Sequence, residues 1–167
     1  MISNKSIELI KHYESLHDGD LHKVGLQPKM DGVGIWTEGW GHAITDTKGN
    51  FIKGAANEKL ANSLSIIHTK EQADTHFFID VQPILLQIAR KITIPLNDDQ
   101  LGAFTSFLYN TGSSSTLVSL INSKSTELYN WWITHYITGQ GIPQKGLVYR
   151  RKSEAVLFTK GILEFYN

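Results

Sequence analysis

The stretch "MDGVGIWTEGWGHAI" (residues 30–44) decides how this chain is interpreted. Its glycines are Gly32, Gly34, Gly39 and Gly41. A glycine in a helix interior costs about 1 kcal/mol relative to alanine, so this density argues against a helix. Short segments of Val, Ile, Thr and Trp between glycines are typical of hairpins and turns. The stretch therefore predicts a compact β-hairpin that holds a set of polar side chains in place.

The composition is that of an ordinary globular protein. The chain has 167 residues, of which 41% are apolar and 19% charged, and this length suits one domain. Sixteen basic residues balance sixteen acidic ones, so there is no overall attraction to nucleic acid. The absence of cysteine excludes disulfides, thiolate nucleophiles and cysteine-ligated zinc. We find no secretory signal and no apolar run long enough for a membrane span, so we expect synthesis in the cytoplasm. We also expect a monomer.

Helical periodicity surrounds the hairpin segment. The predicted helices cover residues 3–14, 57–67, 69–91, 97–109, 115–122, 125–137 and 144–159. Two of them open with capping boxes, Thr69 with Gln72 and Asn97 with Gln100. Pro83 predicts a kink or a break in the third helix. Because strands are expected only at the front, the sequence predicts a mainly helical α+β fold in one domain, with a small β lobe over about 15–56 and a helical lobe from the rest.

Two carboxylates bracket the start of this β lobe. Glu14 ends the first helix, and Asp31 lies on the glycine-rich segment with Thr37 six residues later. Glycoside hydrolysis uses such a pair, one protonating the leaving oxygen and the other activating water or attacking carbon. Asp18 and Asp20 lie nearer Glu14, but neither has a threonine six residues on. On spacing alone, solvated surface carboxylates are the commoner interpretation.

Four sequence motifs favour the catalytic interpretation of Glu14 and Asp31 over the surface interpretation. They are "DGVGIWTEGWGH" (31–42), "TKEQADTHFFIDV" (69–81), "IPLNDDQLGAFTSFLYNTGSSSTLVSLIN" (94–122) and "KGLVYRRKSEAVLFTKG" (145–161). In this order, and with Glu14 after an apolar helix, they resemble the phage-type lysozyme family of endolysins and muramidases. The resemblance runs through nearly the whole chain and implies a lysozyme-like fold. The chain differs from the family in a longer interval between Glu14 and Asp31, "SLHDGDLHKVGLQPKM" (15–30).

The resemblance also implies roles for individual residues. Glu14 would be the general acid, Asp31 the base or electrostatic stabiliser, and Thr37 the residue that orients water. The supporting residues implied are His42 beneath the hairpin, Arg150 or Arg151 beside Glu14, and Tyr109 and Asn110 in the sugar-binding wall.

The implied activity is inverting hydrolysis of the β-1,4 bond between N-acetylmuramic acid and N-acetylglucosamine in bacterial peptidoglycan, with carboxyls about 6.5–9.5 Å apart. No cofactor, metal, nucleic acid or membrane insertion is implied, and the protein would reach the cell wall after release from the cytoplasm. The alternatives are a lytic transglycosylase and a peptidoglycan-binding module without activity. Two local interpretations also stay open: "HDGDLH" (17–22) as a solvated turn or a metal loop, and Trp131 with Trp132 as core or as a sugar platform.

Overall fold

The computed structural model describes residues 1–139 and 141–166, which form two compact units. The helical unit combines Met1–Tyr13 with the chain from Pro83 onward, and the hairpin unit comprises Glu14–Gln82. Most of the regular structure is helical and the sheets are small and antiparallel, which confirms the predicted fold class. The predicted single domain and its lobe limits stay predictions.

Seven helices occur in the described part of the chain. They are α1 (Asn4–Glu14), α2 (Glu58–Leu64), α3 (Lys70–Lys91), α4 (Asp98–Thr111), α5 (Ser115–Asn122), α6 (Leu128–Thr134) and α7 (Lys145–Lys160). Both capping boxes are confirmed: Gln100 N–H donates to the Asn97 side chain at 2.8 Å, and Gln72 N–H donates to Thr69 Oγ1 at 3.2 Å. In each box the glutamine side chain accepts a hydrogen bond in return. None of these helices is long and apolar enough to cross a membrane.

The glycine-rich segment forms the predicted hairpins. Strands β1 (Lys29–Met30), β2 (Trp36–Glu38) and β3 (His42–Ala43) pair antiparallel in chain order. Lys29 lies opposite Thr37, and Glu38 lies opposite His42. A small core beneath the strands contains Trp36, Ile44, Ile52 and Ala61. The hairpin unit thus encloses a core of its own beside the strands that carry Thr37 and His42 and the turn that carries Asp31.

Two expectations about the elements are wrong. The helix predicted over 125–137 ends at Thr134, and a second hairpin follows, with strands β4 (Thr138–Gly139) and β5 (Ile142–Pro143). Tyr136 adopts a positive φ of 57°, which a helix cannot continue through, so strands are not confined to the front of the chain. Of the two predictions at Pro83, the break is also wrong, because α3 continues to Lys91, and the kink stays a prediction. Burial of the apolar face of α3, which includes Phe77, Val81 and Ile88, outweighs the roughly 3 kcal/mol cost of an interior proline.

The helical unit has a large apolar core. Its wholly buried aromatic residues are Phe104, Phe107 and Trp132. Trp132 therefore packs in the core, whereas Trp131 is half-buried and stacks on His135 with ring centroids 4.4 Å apart. Helices α1 and α4 approach so closely that a Cβ at Gly102 would overlap the Ser6 side chain. Only glycine fits at that crossing.

A buried ion network ties α7 to this core. Glu154 is fully buried, and its Oε1 accepts hydrogen bonds from Ser106 Oγ (2.7 Å), Arg150 Nε (3.1 Å) and Arg151 Nη2 (2.9 Å). Its Oε2 accepts a hydrogen bond from Trp132 Nε1 at 3.1 Å. The carboxylate therefore forms ion pairs with two buried guanidinium groups.

We expect Glu154→Gln to lower the free energy of unfolding by about 3–5 kcal/mol, because it removes the charged partner of a buried ion pair with Arg150 and Arg151. Denaturant unfolding followed by circular dichroism measures the change. Glu127→Gln is the matched control, since Glu127 is exposed on the same unit. Equal stability of the two variants would contradict the structural role of the network.

Candidate active site

The candidate active site is built on the hairpin unit, which contains Glu14, Asp31, Thr37 and His42. Glu14 ends α1 and is half-buried. Gly41 adopts a φ of 90°, and a Cβ built there would lie 2.9 Å from Glu14 Oε2. A side chain at position 41 would therefore press on the carboxyl as well as strain the backbone. The glycine brings the hairpin backbone directly against the Glu14 carboxylate.

Asp31 closes the turn between β1 and β2. Its Oδ1 accepts hydrogen bonds from the backbone N–H groups of Val33 (2.9 Å) and Ile35 (2.8 Å). The Asp31 N–H in turn donates to the Ile35 carbonyl at 2.8 Å. These bonds fix the orientation of the carboxylate and use only one of its oxygens.

Thr37 is buried in β2, with 6% of its surface exposed. Its Oγ1 donates to the Lys29 carbonyl at 3.0 Å and lies 2.6 Å from His17 Nδ1. Nothing in the sequence singles out this histidine, and a solvated turn is one of the two interpretations open for "HDGDLH". That interpretation fits Asp18, Asp20 and exposed His22 but is wrong for His17, which is half-buried against Thr37.

The same segment was weighed as a metal loop. Among the described residues, no group of three or more His, Asp or Glu side chains is arranged to hold a metal ion. The carboxylates of the loop instead shape its backbone: Asp18 Oδ1 accepts from the Asp20 N–H at 3.3 Å, and Asp20 Oδ1 accepts from the His22 N–H at 3.1 Å.

His42 joins β3 to α3. Its Nδ1 lies 3.0 Å from both carboxylate oxygens of Asp80, and its ring lies beside that of His76. The hydrogen bond with Asp80 raises the pKa of His42 above its ordinary value, even though burial acts in the opposite direction. The charges of Asp80 and Glu38 add to the increase. These contacts connect the hairpin to α3, and the supporting role of His42 in the site stays a prediction.

This pair makes the stability of the fold depend on pH. Because the folded pKa of His42 is raised above the ordinary value of 6.5, its stabilisation is complete below that pH and is lost as pH rises through the folded pKa. We expect the stability difference between wild type and His42→Gln to shrink over this range. Urea unfolding at a series of pH values measures it, and Asp80→Asn should remove the same pH dependence. A difference that grows with pH would contradict the assignment.

Glu38 is a buried residue that sequence analysis missed. Its carboxylate accepts hydrogen bonds from Ser65 Oγ (2.6 Å) and from the backbone N–H groups of Ile66 and Ile67 (both 3.0 Å). These bonds fix the segment that leads into α3. The available signal was a glutamate inside an apolar strand, "WTEGW". Trp40 adds a second tie, since its Nε1 donates to Asp74 Oδ1 at 2.7 Å.

The remaining predicted site residues belong to the helical unit. Arg150 is buried, and its Nη2 donates to the Ser106 carbonyl at 2.9 Å. Arg151 Nη2 donates to Asn110 Oδ1 at 3.2 Å. Tyr109, which precedes Asn110 in α4, is half-buried. Both arginines pair with Glu154. The approach of Arg150 or Arg151 to Glu14, and the sugar-binding roles of Tyr109 and Asn110, stay predictions.

Comparison with known proteins defines the class. Residues 21–154 match the family model for phage lysozyme, which is well over half of the chain. The chain therefore belongs to the phage lysozyme family, whose members are glycoside hydrolases of the muramidase type. The resemblance noted in the sequence is confirmed. The matched range includes Asp31 and Thr37, whereas Glu14 precedes it.

Individual relatives agree with this class. The chain is 28% identical over 165 residues to an endolysin of Acyrthosiphon pisum secondary endosymbiont phage 1, covering 94% of this chain and 97% of the relative. It is 27% identical to an endolysin of Bacillus phage PZA and spans 55% of that protein's length. Among solved structures, the muramidase domain of SpmX from Asticcacaulis excentricus is 26% identical, with a TM-score of 0.65 over 95% of this chain and 97% of that one.

A further structure, the endolysin of Escherichia coli O157:H7 phage FAHEc1, shares the fold. Its TM-score is 0.69 at 24% identity, over 98% of this chain and 96% of that one. The predicted lysozyme-like fold is thereby confirmed.

Proposed function

We propose that this protein is a muramidase that hydrolyses the β-1,4 bond between N-acetylmuramic acid and N-acetylglucosamine in bacterial peptidoglycan. Glu14 acts as the general acid that protonates the leaving oxygen. Asp31 acts as the base that activates water, and Thr37 orients that water. The product carries a new reducing N-acetylmuramic acid end whose anomeric carbon has the inverted configuration.

The observation that carries this proposal is the fixed arrangement of acidic and hydroxyl groups on the hairpin unit. Gly41 places backbone against the Glu14 carboxylate, two backbone N–H groups orient Asp31, and the Thr37 hydroxyl is held in β2. A catalytic group must be held near its productive geometry, because small displacements are costly. Family membership supports the same chemistry.

The biological setting that fits best is release from the bacterial cytoplasm at the end of a phage infection. The relatives named as endolysins support this setting. We propose that the protein acts as a monomer on the cell wall, with peptidoglycan as its partner.

Incubation of the protein with purified peptidoglycan tests the activity against the binding-module alternative. Muropeptides should appear in the supernatant in proportion to protein and time. A protein that sediments with the wall and releases nothing soluble would contradict the proposal and favour a binding module.

A further inference from the structure

His17 lies in the segment 15–30 that lengthens the interval between Glu14 and Asp31. Backbone hydrogen bonds anchor this segment: the N–H of His17 donates to the Gly39 carbonyl (2.8 Å), that of Gly19 to the Gln27 carbonyl (3.0 Å) and that of Leu26 to the His68 carbonyl (2.8 Å). The imidazole of His17 takes no part in these bonds. Its position against Thr37 therefore calls for a separate explanation.

The hydrogen bonds of the Thr37 hydroxyl bear on which nitrogen of the His17 imidazole carries hydrogen. A threonine hydroxyl has one proton to donate and two lone pairs. We assign this proton to the Lys29 carbonyl, 3.0 Å away, and His17 Nδ1 is then the donor in the 2.6 Å contact with Thr37 Oγ1. One lone pair of Thr37 Oγ1 is then left, and it can only accept a hydrogen bond.

The surroundings of the ring favour its neutral form at neutral pH. Burial lowers the pKa of His17 below its ordinary value, and the charge of Lys29 acts in the same direction. The Glu14 carboxylate and the carbonyls of Glu14 and Thr37 act against this decrease without cancelling it. The charged side chains that affect His17 are therefore Glu14 and Lys29.

We propose that His17 is a positioning residue for hydrolysis, whose Nδ1–H holds the Thr37 hydroxyl so that its remaining lone pair accepts a hydrogen bond from the attacking water. A water held in this way turns one O–H towards Thr37 and keeps a lone pair for the sugar carbon. This inference rests on the proposed function, since it gives a purpose to the water-orienting role of Thr37. It also gives the segment 15–30 a part in the reaction.

Kinetics of three variants on purified peptidoglycan test this role. We expect His17→Leu to lower kcat by up to about 100-fold with little change in KM, because loss of orientation slows the chemical step more than binding. His17→Asn should recover most of the rate, since its side-chain N–H lies near the position of Nδ1. His22→Leu is the matched control in the same loop and should retain wild-type kcat, because His22 is exposed.

A double-mutant cycle with Thr37→Val separates positioning from general damage to the fold. If His17 acts through the Thr37 hydroxyl, His17→Leu should cause no further loss of kcat once that hydroxyl is removed. The pH profile adds a second signature. Protonation of His17 at low pH adds a positive charge next to the catalytic carboxylate of Glu14, and His17→Asn removes that charge, so the acid limb of kcat should move to lower pH in this variant.

The outcomes separate this inference from the proposed function. A fully active His17→Leu, or multiplicative losses in the cycle with an unchanged acid limb in His17→Asn, would overturn the role of His17 alone. A wild-type protein that releases no muropeptide would overturn the proposed function, and the role of His17 with it.

Discussion

Glu14→Gln is expected to lose nearly all peptidoglycan hydrolysis, by about 1,000-fold or more, because a general acid contributes up to about 10⁴-fold and an amide cannot supply the proton. The substitution keeps the size of the side chain, so its fit against Gly41 is preserved. Wall binding should be retained, since only the proton transfer is removed. Initial rates of muropeptide release and sedimentation with the wall measure the two effects side by side.

Glu8→Gln is the control for this variant. Glu8 is an exposed carboxylate on the same helix, so its loss should leave the rate unchanged. Unfolding curves of both variants should match the wild type. Retention of wild-type rate in Glu14→Gln would remove Glu14 as the acid.

Asp31→Asn is expected to lower kcat by about 10²–10⁴-fold, the range for loss of a general base. The asparagine side chain keeps an oxygen that can accept the N–H groups of Val33 and Ile35, so the turn survives. The substitution thus removes the charge of Asp31 and leaves the turn it closes. Steady-state rates on purified peptidoglycan measure the loss.

The chain offers a close match for the control. Asp46 Oδ1 accepts the N–H groups of Lys48 (2.8 Å) and Asn50 (2.9 Å), which is the same spacing as at Asp31. Asp46→Asn therefore makes the same chemical change in the same kind of turn, and full activity is expected. Equal activity of the two variants would mean that Asp31 only shapes its turn.

Local rules were enough for much of the fold. Both capping boxes could be predicted because the side chains involved are three residues apart, and the hairpin because glycines leave few alternatives. The pairing of β4 with β5 was missed because these strands are two residues long and the apolar residues before them follow a helical period. No break occurs at Pro83 because burial of one apolar face of α3, with Phe77, Val81 and Ile88, outweighs the local preference of proline.

The site was less predictable because its contacts join distant residues. Glu14, Asp31 and Thr37 could be proposed from the resemblance to the phage-type lysozyme family, but the contact between His17 and Thr37 depends on how the segment 15–30 folds back. The buried Glu38 that fixes Ile66 and Ile67 likewise bonds across nearly thirty residues. Such pairings need tertiary structure, since no periodicity in the sequence encodes them.

Mass spectrometry of the soluble products from purified peptidoglycan tests the central claim most directly. The account predicts muropeptides that carry a reducing N-acetylmuramic acid end, with one water added for each bond cut, and their absence from the Glu14→Gln digest. Products lighter by one water would carry 1,6-anhydro ends. They would identify a lytic transglycosylase and contradict the proposed roles of Asp31 and Thr37.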